Sequence, residues 1–322
     1  MSKQPLVLVL SDALSDADAP ELRMLDRVPH LRVNSLADLT SDAKRAEVIL
    51  NWGVPRDLFR SAFLACPGVR WVHSRAAGLD NSLFPELVQS SVPLTNGTGV
   101  FSQALGEFAL AAILYFAKDF PRMLRNQKAG RWEQFLVDEI AGQTVGIVGY
   151  GDIGRAVASR AHAMGMRVLA LKRHAPASAD PFIAQFFMPG DLAAMLAQCD
   201  YVVVSAPLTP ETHHMIDEAA FAAMKPSAVI INIGRGPVID QAAMVRALTD
   251  GRIRGAGLDV FEQEPIPDGD PIYKFENVLV SPHCADQTKT WLKHAMDFFL
   301  QQYTRFTAGQ PLENVVDKHL GY

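Results

Sequence analysis

The chain has 322 residues, 49% of them hydrophobic and 20% charged, with a formal net charge of −5. That length suits about two domains, each with its own core, and the acidic balance argues against nucleic acid or an anionic membrane as the main partner. Cys66, Cys199 and Cys284 are too few and too far apart for a disulfide framework or a zinc site, and they fit a reducing, cytoplasmic location.

The N-terminus runs straight into Leu6–Leu10 and Asp12, which is not the build of a signal peptide. Pro5–Leu10, Glu47–Leu50, Val69–His73 and Val92–Thr95 read as strands, with helical patterns between them, the clearest at Pro55–Cys66. Strands alternating with helices imply a parallel sheet covered on both faces. Asn96-Gly97-Thr98-Gly99 then breaks the pattern as a candidate hinge. Phe101–Ala117 is apolar almost all round, so it is expected to be buried on every side, between domains or subunits. Its longest apolar run, Phe108–Ala117, is well short of the roughly 18 residues that a membrane helix needs.

A second α/β series opens with Val145–Val148, a short buried strand. Gly149, Gly151 and Gly154 follow at G-x-G-x-x-G spacing, with Asp152 and Ile153 inside the loop, then a helix over Arg155–Met164 and a strand over Val168–Leu171. Strand, turn, helix and strand in that order make this a dinucleotide site. Gly149 allows a tight turn, Gly151 allows the backbone to approach a pyrophosphate, and Gly154 allows helix and strand to pack closely. The helix N-terminus adds unpaired N–H groups and a positive dipole end. An acidic residue about 20 positions on would hold the ribose 2′-hydroxyl of NAD. Lys172 stands there instead, 18 residues after Gly154, followed by Arg173 and His174. With no carboxylate nearby to repel a 2′-phosphate, NADP(H) is the preferred cofactor and NAD(H) the secondary one; the competing reading is a solvated basic patch.

Farther on, Tyr201–Val204, Ala228–Ile233, Gly255–Val260 and Val278–Val280 read as strands. Gln241–Leu248 reads as a helix capped by Asp240, and Trp291–Phe306 as a C-terminal helix. Ligands of open α/β sheets lie outside the carboxyl ends of the strands. Arg235, Asp259, Glu264 and His283 all fall at or just beyond such ends. Singly they would be a surface ion-pair residue, a loop carboxylate or a structural histidine. Together, after a dinucleotide loop, they form a coherent site for reducing a 2-oxo acid.

Several ordered segments resemble the D-isomer-specific 2-hydroxyacid dehydrogenase family. They are Pro207-Leu208-Thr209-Pro210-Glu211-Thr212, Ile231-Asn232-Ile233-Gly234-Arg235-Gly236, the run from Ala256 through Asp259 to Glu264-Pro265, Ser281-Pro282-His283, and Gly309 to Asp317. The resemblance implies that Arg235 grips the carboxylate and ketone of the substrate, that His283 is the acid/base, and that Glu264 holds the other imidazole nitrogen. It implies further that Asp259 contacts the nicotinamide end of the cofactor, and that Pro207, Thr212 and Ile233 belong to the cofactor loops. Ser74-Arg75-Ala76-Ala77-Gly78-Leu79-Asp80 resembles the loop whose backbone N–H groups, at Ala76, Ala77 and Gly78, bind the substrate carboxylate.

Some positions depart from the family pattern. The family usually has a small residue where Arg75 stands, and after His283 an apolar residue followed by small ones, where this chain reads Cys284-Ala285-Asp286. Cys284 reads as a small packing residue, because hydride transfer needs no nucleophile. Trp132 matches a tryptophan that in some relatives reaches the neighbouring subunit's active site; the other reading is that it packs the interdomain helix.

The implied fold is α/β with two Rossmann-like doubly wound parallel-sheet domains, the substrate domain being discontinuous. Residues 1–98 and 288–322 are assigned to the substrate domain and 99–287 to the dinucleotide-binding domain, with a cleft that closes over both ligands. The expected activity is reduction of a small 2-oxo acid, glyoxylate or hydroxypyruvate in kind, to the D-2-hydroxy acid by a homodimer. From a different class, a dinucleotide-sensing binding protein of the corepressor kind could share this fold; turnover discriminates the two.

Overall fold

The described residues of this computed structural model, 4–12, 20–80, 82–174 and 178–321, hold two wholly parallel sheets. The first contains β1 (Val7–Leu10), β2 (His30–Val33), β3 (Val48–Asn51), β4 (Trp71–Ser74) and β5 (Leu94–Thr95), in the order β2-β1-β3-β4-β5. The second contains β6 (Thr144–Val148), β7 (Arg167–Leu171), β8 (Gln185–Phe187), β9 (Tyr201–Val204), β10 (Val229–Asn232), β11 (Gly255–Leu258) and β12 (Val278–Val280), in the order β12-β11-β10-β9-β6-β7-β8. Both sheets start from an inner strand and grow outward in two directions. The direction reverses between β1 and β3 in one sheet and between β6 and β9 in the other. At such a reversal the flanking loops part and leave a crevice at the carboxyl ends.

The chain divides into two compact units, Met1–Phe101 with Lys289–Tyr322, and Ser102–Thr288. In the first unit the strands send alternate residues to opposite faces. Leu8, Leu10, Ile49 and Val72 pack with Phe59 and Phe84 on one side. Val7, Val9, Val48, Leu50 and Trp71 pack with Phe299 and Tyr303 of the helix Trp291–Thr307 on the other. Trp71 stacks on Phe299 with ring centroids 5.3 Å apart. His73 lies in this layer, its Nδ1 2.8 Å from Thr95 Oγ1, and burial pushes its pKa down to about 3. It is a neutral core residue.

In the second unit β6, β9, β10 and β11 are buried along their whole length. That is why they appear in the sequence as unbroken apolar runs. The helix Ser102–Ala117 buries Leu105, Ala109, Ile113 and Phe116, and carries Gln103, Glu107 and Ala111 on a stripe that is exposed in the single chain. It packs on the helix Asp152–Ala163, and a Cβ on Gly106 would lie only 3.3 Å from the Ala156 backbone. Glycine there lets the two helices approach. Among the described residues no helix is long and apolar enough to cross a membrane.

Candidate active site

Gly149 follows β6 with φ +94°, a conformation that favours glycine, and a Cβ on it would fall 2.5 Å from Ala206. A Cβ on Gly154 would fall 2.5 Å from Gly149 O and 3.1 Å from Ile147 Cγ2, so this glycine sits at the helix–strand contact. A Cβ on Gly151, the residue preceding the helix Asp152–Ala163, would meet nothing within 4 Å. The tightly packed turn thus has open space beside its middle glycine. Ser205 Oγ donates to Gly149 O at 2.8 Å and fixes the turn to the end of β9; the sequence reading had overlooked this serine. Asp152 accepts a hydrogen bond from Ser102 Oγ, and Ile153 is half-buried.

Lys172 and Arg173 follow β7, both half-buried. Arg173 Nη2 lies 3.4 Å from Glu211 Oε2, which overturns the expectation that no carboxylate is near the basic pair. Glu211 comes from the loop after β9, 38 residues away in sequence. Spacing after the glycine loop could not reveal it. In that same loop Thr212 Oγ1 donates to Pro207 O at 2.6 Å and accepts from Thr209 N at 2.8 Å. Thr212 is therefore an internal staple of the cofactor-loop candidate. Ile233 is buried, and its N–H donates to Val204 O at 3.0 Å. Pro207 is exposed.

Three loops beyond β10, β11 and β12 carry the polar residues. Arg235 is half-buried and its Nη1 donates to Gly234 O at 2.7 Å. Asn232 shapes this loop: its Oδ1 accepts from Gly234 N at 3.0 Å and its Nδ2 donates to Arg235 O at 3.1 Å. A Cβ on Gly236 would overlap the Phe261 carbonyl, so only glycine brings the β10 and β11 loops together there.

Asp259, at the end of β11, is 1% exposed. Its Oδ1 accepts from Ser281 Oγ at 2.5 Å and from the N–H groups of Cys284 and Ala285 at 3.0 Å. A buried carboxylate needs such partners. Asp259 uses them to wrap the loop after β12, and its own carbonyl accepts from His283 N at 3.0 Å. Ser281 belongs to the Ser281-Pro282-His283 segment that carries the family resemblance, but its bond to Asp259 had no signal in the sequence. The loop holds His283 at φ +51° and sets its Nδ1 2.6 Å from Glu264 Oε2. Glu264 is fixed in turn, because its Oε1 accepts from Phe261 N at 2.9 Å. The imidazole thus has one nitrogen on a braced carboxylate, while Nε2 makes no hydrogen bond among the described residues.

Asp286 completes the cluster. Burial pushes its carboxyl up and Asp259 adds to this, while His283 and Arg235 pull it down. Cys284 is exposed, not packed as expected, with Sγ 3.5 Å from Ser281 Oγ. Trp132 is 92% exposed, so within the chain it does not pack the interdomain helix.

In the first unit, the loop after β4 has its carbonyls engaged and its amides open. Gly97 N donates to Ala76 O at 3.1 Å and Asn96 Nδ2 to Ala77 O at 2.8 Å. The N–H groups of Ala76, Ala77 and Gly78 donate to no acceptor among the described residues. Successive unpaired amides of this kind make an anion-binding concavity.

Residues 110–285 match the D-isomer specific 2-hydroxyacid dehydrogenase, NAD binding domain. The chain belongs to the D-isomer specific 2-hydroxyacid dehydrogenase family. Among the family's members, a glyoxylate reductase of Korarchaeum cryptofilum (strain OPF8) is 36% identical over 264 residues, 80% of this chain and 79% of that one. Glyoxylate/hydroxypyruvate reductase B of Yersinia pestis (strain Pestoides F) is 34% identical over 275 residues, 80% of this chain and 82% of its own. A solved NADPH-dependent glyoxylate/hydroxypyruvate reductase from Sinorhizobium meliloti, in complex with NADP and sulfate, superposes with a TM-score of 0.87 at 28% identity, covering 99% of this chain and 100% of that one.

Proposed function

We propose that this dehydrogenase reduces a small 2-oxo acid to the D-2-hydroxy acid with NADPH. The observation that carries the reading is the braced His283–Glu264 pair, 2.6 Å apart, in the same unit as the glycine loop and in one electrostatic cluster with Arg235. The nicotinamide cofactor supplies, when bound, the hydride that adds to the ketone carbon. The open space at Gly151 and the helix N-terminus fit its pyrophosphate. Lys172 and Arg173 fit a 2′-phosphate. The Arg173–Glu211 pair is a partly exposed contact, worth about 0–1 kcal/mol, which a phosphate dianion can displace. Asp259 is assigned to the nicotinamide end, with its carboxylate already committed to the His283 loop.

Arg235 grips the substrate carboxylate and ketone through its planar fork. His283 gives the Nε2 proton to the developing alkoxide oxygen, and Glu264, accepting at Nδ1, keeps the ring oriented and supports its positive charge. The amides of Ala76, Ala77 and Gly78 are assigned to the substrate carboxylate as well. Glyoxylate and hydroxypyruvate are proposed as substrates because the named relatives act on them. The exposed Trp132 and Leu136, the latter 98% exposed, support a homodimer in which this segment meets the second copy. The free cysteines support a reducing, cytoplasmic setting.

The test is to follow reduced-cofactor absorbance with NADPH and glyoxylate, then hydroxypyruvate, with chiral analysis of the glycerate formed from the second. Oxidation of NADPH with D-product is expected. No oxidation with either acid, or L-product, contradicts the reading.

A further inference from the structure

The helix Asp152–Ala163, whose N-terminus is the proposed seat of the cofactor pyrophosphate, has one acidic residue in its first turn, Asp152. Gly151 precedes it and offers no side-chain cap. The N–H groups of Asp152, Ile153 and Gly154 donate to no acceptor among the described residues, and Arg155 N donates to Gly151 O at 2.9 Å. The positive end of the helix dipole attracts a nearby carboxylate as it attracts a phosphate. A first-turn carboxylate that accepted from these amides would fill the place the pyrophosphate needs.

Asp152 is committed elsewhere. Its Oδ2 accepts from Ser102 Oγ, 50 residues earlier in the chain, at the start of the helix Ser102–Ala117. Ser102 is 7% exposed, whereas Asp152 is open to solvent. The two helices have other ties, namely the close approach at Gly106 and a hydrogen bond from Arg160 Nη2 to Gln103 Oε1. A bond at their exposed rim adds little beside these. What it does fix is the direction of one negative charge.

We infer that Ser102 is a positioning residue for the cofactor: it holds the Asp152 carboxylate against Ser102–Ala117 and so keeps the N-terminal amides of Asp152–Ala163 open to the pyrophosphate. This rests on the proposed pyrophosphate seat at Gly151 and adds to it a residue outside the glycine loop.

The test is a fluorescence titration of the full chain with NADPH and with NADH, on wild type, Ser102→Ala, Ser102→Thr, Asp152→Asn and the variant carrying both Ser102→Ala and Asp152→Asn. Ser102→Ala should raise Kd about three- to tenfold for both cofactors, because they share the pyrophosphate. Ser102→Thr keeps the hydroxyl and should stay within about twofold of wild type. Adding Ser102→Ala to Asp152→Asn should change Kd by less than about twofold, since no charge is left to stray. The loss in Ser102→Ala should also shrink in about 0.5 M NaCl, which screens an unheld charge. A Kd for Ser102→Ala equal to that of wild type overturns the inference. So does an equal loss with and without Asp152→Asn, which marks a purely structural role, or a loss confined to NADPH, which marks the 2′-phosphate. Gly151→Ala tells the two readings apart. If it leaves NADPH affinity unchanged, the pyrophosphate seat fails and takes this inference with it; if it weakens binding while Ser102→Ala does not, only the inference falls.

Discussion

At the scale of single residues, the site works by bracing. Glu264 is held by the Phe261 amide before it meets His283, and Asp259 takes three donors before the loop carrying His283 can close. Glu211 is the residue that changes the cofactor argument. It occupies Arg173, so it would compete with the 2′-phosphate proposed for that site. Glu211→Gln should lower the KM for NADPH about two- to fivefold and leave that for NADH nearly unchanged, as read from steady-state kinetics. Asp286 makes the opposite trade. Its carboxyl is raised chiefly by burial, so the folded state holds the proton more tightly than the unfolded one. The ionised side chain therefore costs stability, a cost that begins as pH rises past the unfolded value near 3.8 and is complete above the raised folded value. Asp286→Asn should raise Tm at pH 7, with a gain that shrinks toward zero below pH ~4; a gain that grows in acid would contradict this. The roles proposed for Arg235, Glu264 and His283 come from the family resemblance, but that Glu264 and His283 would meet, with Arg235 in the same cluster, could be read from strand ends plus motif order. The contact between Arg173 and Glu211 could not, because nothing local links residues 38 apart on different loops.

At the scale of elements, strands made of continuous apolar residues were plain in the sequence and strands of mixed polarity were not. Val145–Val148, Tyr201–Val204 and Val278–Val280 lie inside or coincide with observed strands. His30–Val33 and Gln185–Phe187 escaped notice because each sits at a sheet edge, is mostly solvated and mixes polar with apolar residues. The helix Phe120–Lys128 was missed as well: it buries no residue, and its start relies on Asp119, whose side chain accepts from Arg122 N at 3.3 Å. The glycine turn makes a sharper prediction, because its glycines have different surroundings. Gly154→Ala forces a Cβ against Gly149 O and should lower Tm by several degrees. Gly151→Ala meets open space in the protein, so Tm should move by only about 1 °C while Kd for NADPH rises at least about tenfold. A thermal melt and a fluorescence titration on both variants separate the two roles. Equal effects on Tm would show that the open space beside Gly151 has been misread.

At the scale of the whole molecule, composition and alternation indicated two parallel α/β halves, and the glycine loop lies in the half that matches the family's NAD binding domain. The surface of Ser102–Ala117 could not be judged from its apolar count, since Gln103 and Glu107 fall on one stripe that the helix leaves exposed. The segment from Arg131 to Glu139 is neither helix nor strand, and it exposes Trp132, Leu136 and Val137. In the homodimer proposed above, these apolar side chains would be covered by the second copy. Trp132→Ser with Leu136→Ser should shift the mass seen by light scattering from dimer toward monomer; a wild-type monomer at micromolar concentration would remove the dimer from the account.

The central claim is that an imidazole braced by a carboxylate delivers the proton to the 2-oxo carbonyl oxygen during reduction. Its most direct measurement is kcat for NADPH-dependent reduction of glyoxylate by His283→Ala against wild type, at equal concentrations of folded protein and with NADPH binding checked separately. A fall of about 10²- to 10⁴-fold in kcat with NADPH affinity retained is predicted. A kcat within twofold of wild type would contradict it.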